Sequence, residues 1–118
     1  MSPNDALLAQ RYYAAWNARD LDAILALYAD DIEFSSPYIM ALRFSPDGVL
    51  HGKQALRTYF EMALDRAPDL KFNPESMCVG ARGHTLIYRN QRGERAAEVH
   101  ELDAVGLIVR ADATYEAT

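Results

Sequence analysis

The stretch GKQALRTYFEMALDRAP, residues 52–68, decides how the rest of the chain is read. Ala55-Leu56, Tyr59-Phe60, Ala63-Leu64 and Ala67 recur at the 3.6-residue spacing of one helical face. Gly52 opens the helix and Pro68 stops it. Upstream the helical reading continues. Ser2-Pro3-Asn4-Asp5 is a helix start, with Ser2 as N-cap, Pro3 at the first helical position and Asp5 completing a capping-box pattern. Leu8, Tyr12, Ala15 and Trp16 then share one face. Asp20 caps a shorter helix whose inward stripe is Leu21, Ile24, Leu25 and Tyr28, and Asp30-Asp31 read as the solvated turn that ends it. Ile32–Ser36 alternates into Pro37 as a short strand. Residues 38–51 form a long, apolar connection, expected to be a flap over a cavity or an extension of an interface.

Downstream of Pro68 the period changes from 3.6 to 2. Strand-like stretches cover roughly 69–79, 83–91, 95–103 and 107–115, separated by turn signals at 80–83, 91–94 and 103–106. Helices followed by a strand meander predict an α+β domain with helices packed on one sheet face. At 118 residues the chain is one domain, 1–118, large enough to fold without metal or disulfide staples.

Charge and composition exclude several functions. Twelve basic against 17 acidic side chains give a net charge of −5, spread evenly along the chain. No basic stripe is present to neutralise phosphates, so a nucleic-acid partner is not expected. No apolar run approaches a membrane span. The opening MSPNDALLAQ lacks a basic n-region and an apolar h-region, so no secretory signal is expected. The single Cys78 makes no internal disulfide or cysteine-based zinc site, which makes a reducing cytoplasm the default location. His51, His84 and His100 are far apart in sequence and lack metal-ligand spacing, and no cofactor motif is present.

The residues that could carry chemistry are aromatic or lie on the strand 95–103. Trp16 and Phe60 read as core. Tyr12 and Tyr28 also face inward, and a buried phenol needs a hydrogen-bond partner, so the pair suggests a polar pocket. On the strand, neither Ala96, Glu98, His100, Leu102 nor Ala97, Val99, Glu101, Asp103 is cleanly apolar, and the pattern alone leaves open which face is inside. Glu98 and His100 share a face, where a carboxylate beside an imidazole would suit a general base or, equally, a solvated surface pair. On the last strand Val109, Ala111, Ala113 and Tyr115 form the apolar side.

The segments Gln10-Arg11-Tyr12, Ala14–Asp22, Leu27–Asp31 with Pro37, His51–Phe60 and Gly106–Arg110 together resemble the nuclear-transport-factor-2-like superfamily, in particular its SnoaL-like polyketide cyclases and ketosteroid isomerases. The resemblance implies a cone-shaped, cystatin-like roll. Three N-terminal helices would pack on a curved antiparallel sheet enclosing a pocket for a small hydrophobic molecule. It also implies a homodimer through the outer sheet face, here Arg110, Asp112 and Thr114. By this resemblance Tyr12 matches the isomerases' oxyanion-hole tyrosine, Tyr28 a supporting tyrosine, and Glu98 their protonated acid, a carboxylic acid kept neutral by an apolar site. Ser36 stands where the general-base aspartate would be, and a serine hydroxyl does not accept a proton at neutral pH. Steroid isomerisation by that route is therefore not expected. Ala111 and Ala113 replace the His or Asp that several cyclases place on the last strand. The implied site is Tyr12, Glu98 and His100 as catalytic groups, with Trp16, Tyr28, Ser36, Phe60, Ala111, Ala113 and Tyr115 lining the pocket. The chemistry would be proton abstraction beside a carbonyl, with a non-catalytic binding or dimerisation module as the alternative.

Overall fold

The computed structural model describes residues 3–117. Ser2, the expected N-cap, lies outside the described residues. The elements run α1 (Pro3–Asn17), α2 (Leu21–Leu25), β1 (Tyr28–Ser35), α3 (Pro37–Ala41), β2 (Val49–His51), α4 (Lys53–Arg66), β3 (Asn73–Val79), β4 (Gly83–Arg89), β5 (Arg95–Leu102) and β6 (Ile108–Tyr115). The six strands form one sheet in the order β2-β1-β6-β5-β4-β3. The helices cover one face, and the core between them is strongly aromatic: Tyr12, Trp16, Tyr28, Phe34, Tyr59, Phe60, Phe72 and Tyr88 are all buried.

The α+β layout is as expected, with corrections in detail. The sheet is mixed rather than wholly antiparallel, because β1 runs parallel to β6. The second helix stops at Leu25, so Tyr28 belongs to a strand, and Asp30 and Asp31 lie mid-strand rather than in a turn. The reason is a register irregularity between Tyr28 and Glu33. It turns Tyr28 and Ala29 inward together and leaves Asp30 and Asp31 outward, so the strand loses its period of two and imitates a helical stripe. The 38–51 segment is also partly regular. Ser36 caps α3, its Oγ accepting from Tyr38 N at 3.2 Å, and Val49–His51 pairs with β1.

Two side-chain clamps tie the end of α1 to the segment that follows α4 and to the C-terminal end of α4 itself. Asn17 Nδ2 donates to Phe72 O at 3.0 Å while its Oδ1 accepts from Phe72 N at 2.8 Å. Arg19 donates to the carbonyls of Leu64 and Ala67, supplying a cation and two donors to the open C-terminal end of α4. Arg19 itself sits at φ 57°, the left-handed conformation that ends α1. Asp20 then caps α2 as expected, accepting from Ala23 N at 3.1 Å.

Candidate functional site

The site grows from the β4–β5 hairpin. In its register His84 lies opposite His100, Leu86 opposite Glu98 and Tyr88 opposite Ala96. All six side chains are buried on the helix-facing side. Alternation therefore carries four hydrogen-bonding side chains into the core, His84 and Tyr88 from β4 and Glu98 and His100 from β5. Gly83 lets the strands close at this point: a Cβ there would lie 2.0 Å from the His100 carbonyl oxygen, a backbone atom that cannot move aside cheaply.

These groups join in one buried chain. Asp5 Oδ1, from the first turn of α1, lies 2.9 Å from His84 Nδ1. His84 Nε2 lies 3.0 Å from His100 Nδ1, and His100 Nε2 lies 2.7 Å from Glu98 Oε2. The other carboxyl oxygen, Oε1, accepts from Tyr88 OH at 3.1 Å, and the Tyr88 and Tyr12 hydroxyls are 3.5 Å apart. The side chains of both imidazoles are wholly shielded from solvent. Asp5 is thus a chain-terminating acceptor; the capping box expected for it involves Ser2, which lies outside the described residues.

Proton counting orders this chain. Each of its three imidazole links needs one proton between its two heavy atoms. With Asp5 ionised, His84 donates from Nδ1 and accepts at Nε2 from His100 Nδ1–H. That leaves His100 Nε2 facing Glu98 Oε2, and a third proton must lie in that short link. Burial pushes the His84 pKa down, opposed by the hydrogen bond to Asp5 and reinforced by the neighbouring His100. His84 is therefore the neutral relay member. Burial, then the charge of Glu98, pushes the Tyr12, Tyr28 and Tyr88 phenols well above their usual value. They remain hydrogen-bond donors at every physiological pH.

Glu98 is the end of the chain that faces a cavity of about 460 Å³, a size suited to a small organic ligand. Tyr12, Tyr88 and Glu98 form its polar wall; Trp16, Phe34, Phe60 and Phe72 form its apolar walls. Tyr38 and Leu42, from the 38–51 segment, line it too. That segment therefore covers part of the cavity, held by Tyr38 OH donating to Glu94 Oε1 at 2.6 Å. Exposed Arg66, Asp69 and Arg92 stand at the open end.

Of the sequence-derived candidates, Tyr12, Trp16, Ser36, Phe60, Glu98, Ala113 and Tyr115 line this cavity. His100 stands behind Glu98, its ring 5.2 Å from that of Tyr12. Tyr28 is fully buried among Phe34 and Phe60, away from the lining. The Trp16 indole N–H lies close enough to oppose part of the rise in the Tyr28 pKa, although the two groups do not meet hydrogen-bond geometry. Ala111 lies beneath the wall, opposite His100 in the β5–β6 register. Asp5, His84, Tyr59, Phe72 and Tyr88 were not among the site residues expected from the sequence. One signal could have found two of them: a hairpin turn at 91–94 pairs His84 with His100 and brings Tyr88 beside Glu98.

A family model described as a SnoaL-like domain matches residues 9–113. The chain belongs to the SnoaL-like family. Another SnoaL-like protein, of unknown function, from Burkholderia thailandensis is 35% identical with a TM-score of 0.94; the match covers 99% of this chain and 98% of that one. A candidate isomerase of the SnoaL-like family from Agrobacterium tumefaciens is 17% identical, TM-score 0.76, covering 98% and 100%. An NTF2-like protein of unknown function from Burkholderia pseudomallei is 18% identical, TM-score 0.77, covering 98% and 92%. The last two likenesses concern the fold alone, which is nuclear-transport-factor-2-like, or cystatin-like. No curated protein matches the sequence significantly. No helix among the described residues is long and apolar enough to cross a membrane.

Proposed function

We propose that this SnoaL-like chain is a proton-transfer enzyme acting beside the carbonyl of a small hydrophobic compound held in the cavity. The observation that carries this reading is the Glu98 carboxyl, 3% exposed, set in the wall of an aromatic cavity between His100 Nε2 and Tyr88 OH. Glu98 is the group that exchanges a proton with the ligand. His100, which the sequence suggested as the base, acts through Glu98: it shares the proton of the 2.7 Å link and stabilises the ionised carboxylate. Tyr12, a phenol held protonated by burial, donates to the oxygen that gains charge as the enolate forms. The reaction classes that fit are isomerisation, aldol closure and dehydration. Ser36 adds no base, because its Oγ is occupied in capping α3.

The test uses a panel of enolisable aryl ketones in deuterated water and follows deuterium incorporation next to the carbonyl by NMR. For any ketone exchanged by the protein, Glu98→Gln should slow exchange by about 10²–10⁴-fold. Tyr12→Phe should slow it while leaving binding in place. Exchange unaltered in Glu98→Gln would overturn the assignment.

A second reading is a binding module with no turnover, favoured by the small, chemically inert Ala113 in the wall and by the aromatic walls of the cavity. It predicts thermal stabilisation by such ketones with no exchange. In either reading a second copy would dock on the outer sheet face around Arg110, Asp112 and Thr114.

A further inference from the structure

The hydrogen-bonded chain does not end at His100, and the acid/base chemistry proposed for Glu98 does not by itself require what lies beyond. Two further buried groups, His84 and Asp5, extend it away from the cavity. Asp5 is 5% exposed and borders a separate surface groove shared with Gly83, Arg82 and Asp103. A titratable path of four side chains therefore connects the ligand cavity to solvent behind it. Every link lies within hydrogen-bond distance, at 2.9, 3.0 and 2.7 Å.

We propose that Asp5 and His84 are positioning residues of a proton relay, through which Glu98 exchanges its proton with the outer groove rather than through the ligand-filled cavity. This rests on the reading of Glu98 as the proton-exchanging group. The balance is explicit. In one arrangement Glu98 Oε2 carries a proton, His100 and His84 carry theirs on Nδ1, and Asp5 is ionised. Three protons then each move across one link. Glu98 becomes the carboxylate, His100 and His84 carry their protons on Nε2, and Asp5 holds the proton next to groove water. The number of protons and the net charge of the four groups are unchanged. The shift converts Glu98 from acid to base by transferring one negative charge from Asp5 to Glu98, with neither imidazole left charged between them, where an isolated charge is costly. Neutral His84 is required for it, and burial keeps that ring neutral. A purely structural carboxylate–imidazole pair would need only one histidine; two in series, ending on a second acid at a groove, provide a conduit.

The other titratable groups that face Glu98 are phenols: Tyr12 and Tyr13 from α1, Tyr28 from β1, Tyr59 from α4, Tyr88 from β4 and Tyr115 from β6. All of them are raised above their usual value. None titrates with the carboxyls. Around Asp5 the groove adds Arg82 and Asp103.

Carboxyl-carbon NMR of the ligand-free protein tests the relay. In the wild type, Asp5 and Glu98 should titrate as a coupled pair, each curve showing both steps. Asp5→Asn or His84→Gln should shift the Glu98 curve by about one pH unit or more and make it single-step. Independent wild-type curves would overturn the proposal. So would a Glu98 curve in either folded variant that superimposes on the wild type, whatever the change in melting temperature. The wild-type arm decides the matter if neither variant folds. Failure here leaves the Glu98 assignment standing, because that is tested separately by deuterium exchange in Glu98→Gln.

Discussion

Strand β5 carries a glutamate on each of its faces, and the two live in different worlds. Glu98 points into the core, where it is bound to an imidazole and a phenol. Glu101 points to the outer face, where Arg110 Nη1 donates to it at 3.0 Å and Arg110 Nε to Glu33 at 3.3 Å. The outer cluster is half exposed, and water competes with every contact in it. The inner pair has no such competitor, so the loss of one partner leaves the other buried and unsatisfied. Contact distances differ little between the two faces. Burial decides which contact matters for stability and which for chemistry.

This contrast can be broken by mutation. The largest effect belongs to His100→Ala, which strands the Glu98 carboxyl and leaves His84 Nε2 without its donor. We expect a loss of about 3–5 kcal/mol in urea denaturation. A loss similar to that of a surface substitution would show that the inner pair is not the anchor described here. A smaller effect comes from pH. The His84 pKa is lowered in the folded state, so the unfolded chain binds a proton first as pH falls. The neutral ring's contribution is complete above the unfolded value of about 6.5 and is lost progressively as pH falls towards the lowered folded value. Thermal melts across that window should show stability falling with acid, and His84→Gln should flatten the slope. An unchanged slope in the variant would assign the acid sensitivity elsewhere. The smallest effect is on the outer face: Arg110→Ala should cost no more than an ordinary surface substitution, and less in high salt. A cost comparable to that of His100→Ala would erase the distinction between the faces.

How much of this was legible in the sequence differs from element to element. The long helices α1 and α4 were, because their stripes hold over three or more turns and Pro68 marks an end. Strands β4, β5 and β6 were, because glycine-containing turns bound them. Tyr28 was not: the irregularity in β1 destroys the alternation that identifies a strand and leaves a spacing of four from Ile24. Nor was the role of Asp5, since an acidic residue in a first helical turn has a sufficient local explanation. Its partner is 79 residues away. The orientation of β5 was ambiguous on polarity alone, because both of its faces carry charge.

The sequence by itself determined the class of fold and some of the aromatic side chains that line the cavity, Tyr12, Trp16, Phe60 and Tyr115, since periodicity and turn chemistry are local properties. It also contained every member of the buried chain. Only the tertiary structure decided that Glu98, not His100, faces the cavity, and that His84 and Asp5 stand behind them. Those outcomes depend on hairpin register and on where α1 docks. Both are settled by packing between residues distant in sequence, where no local pattern reaches.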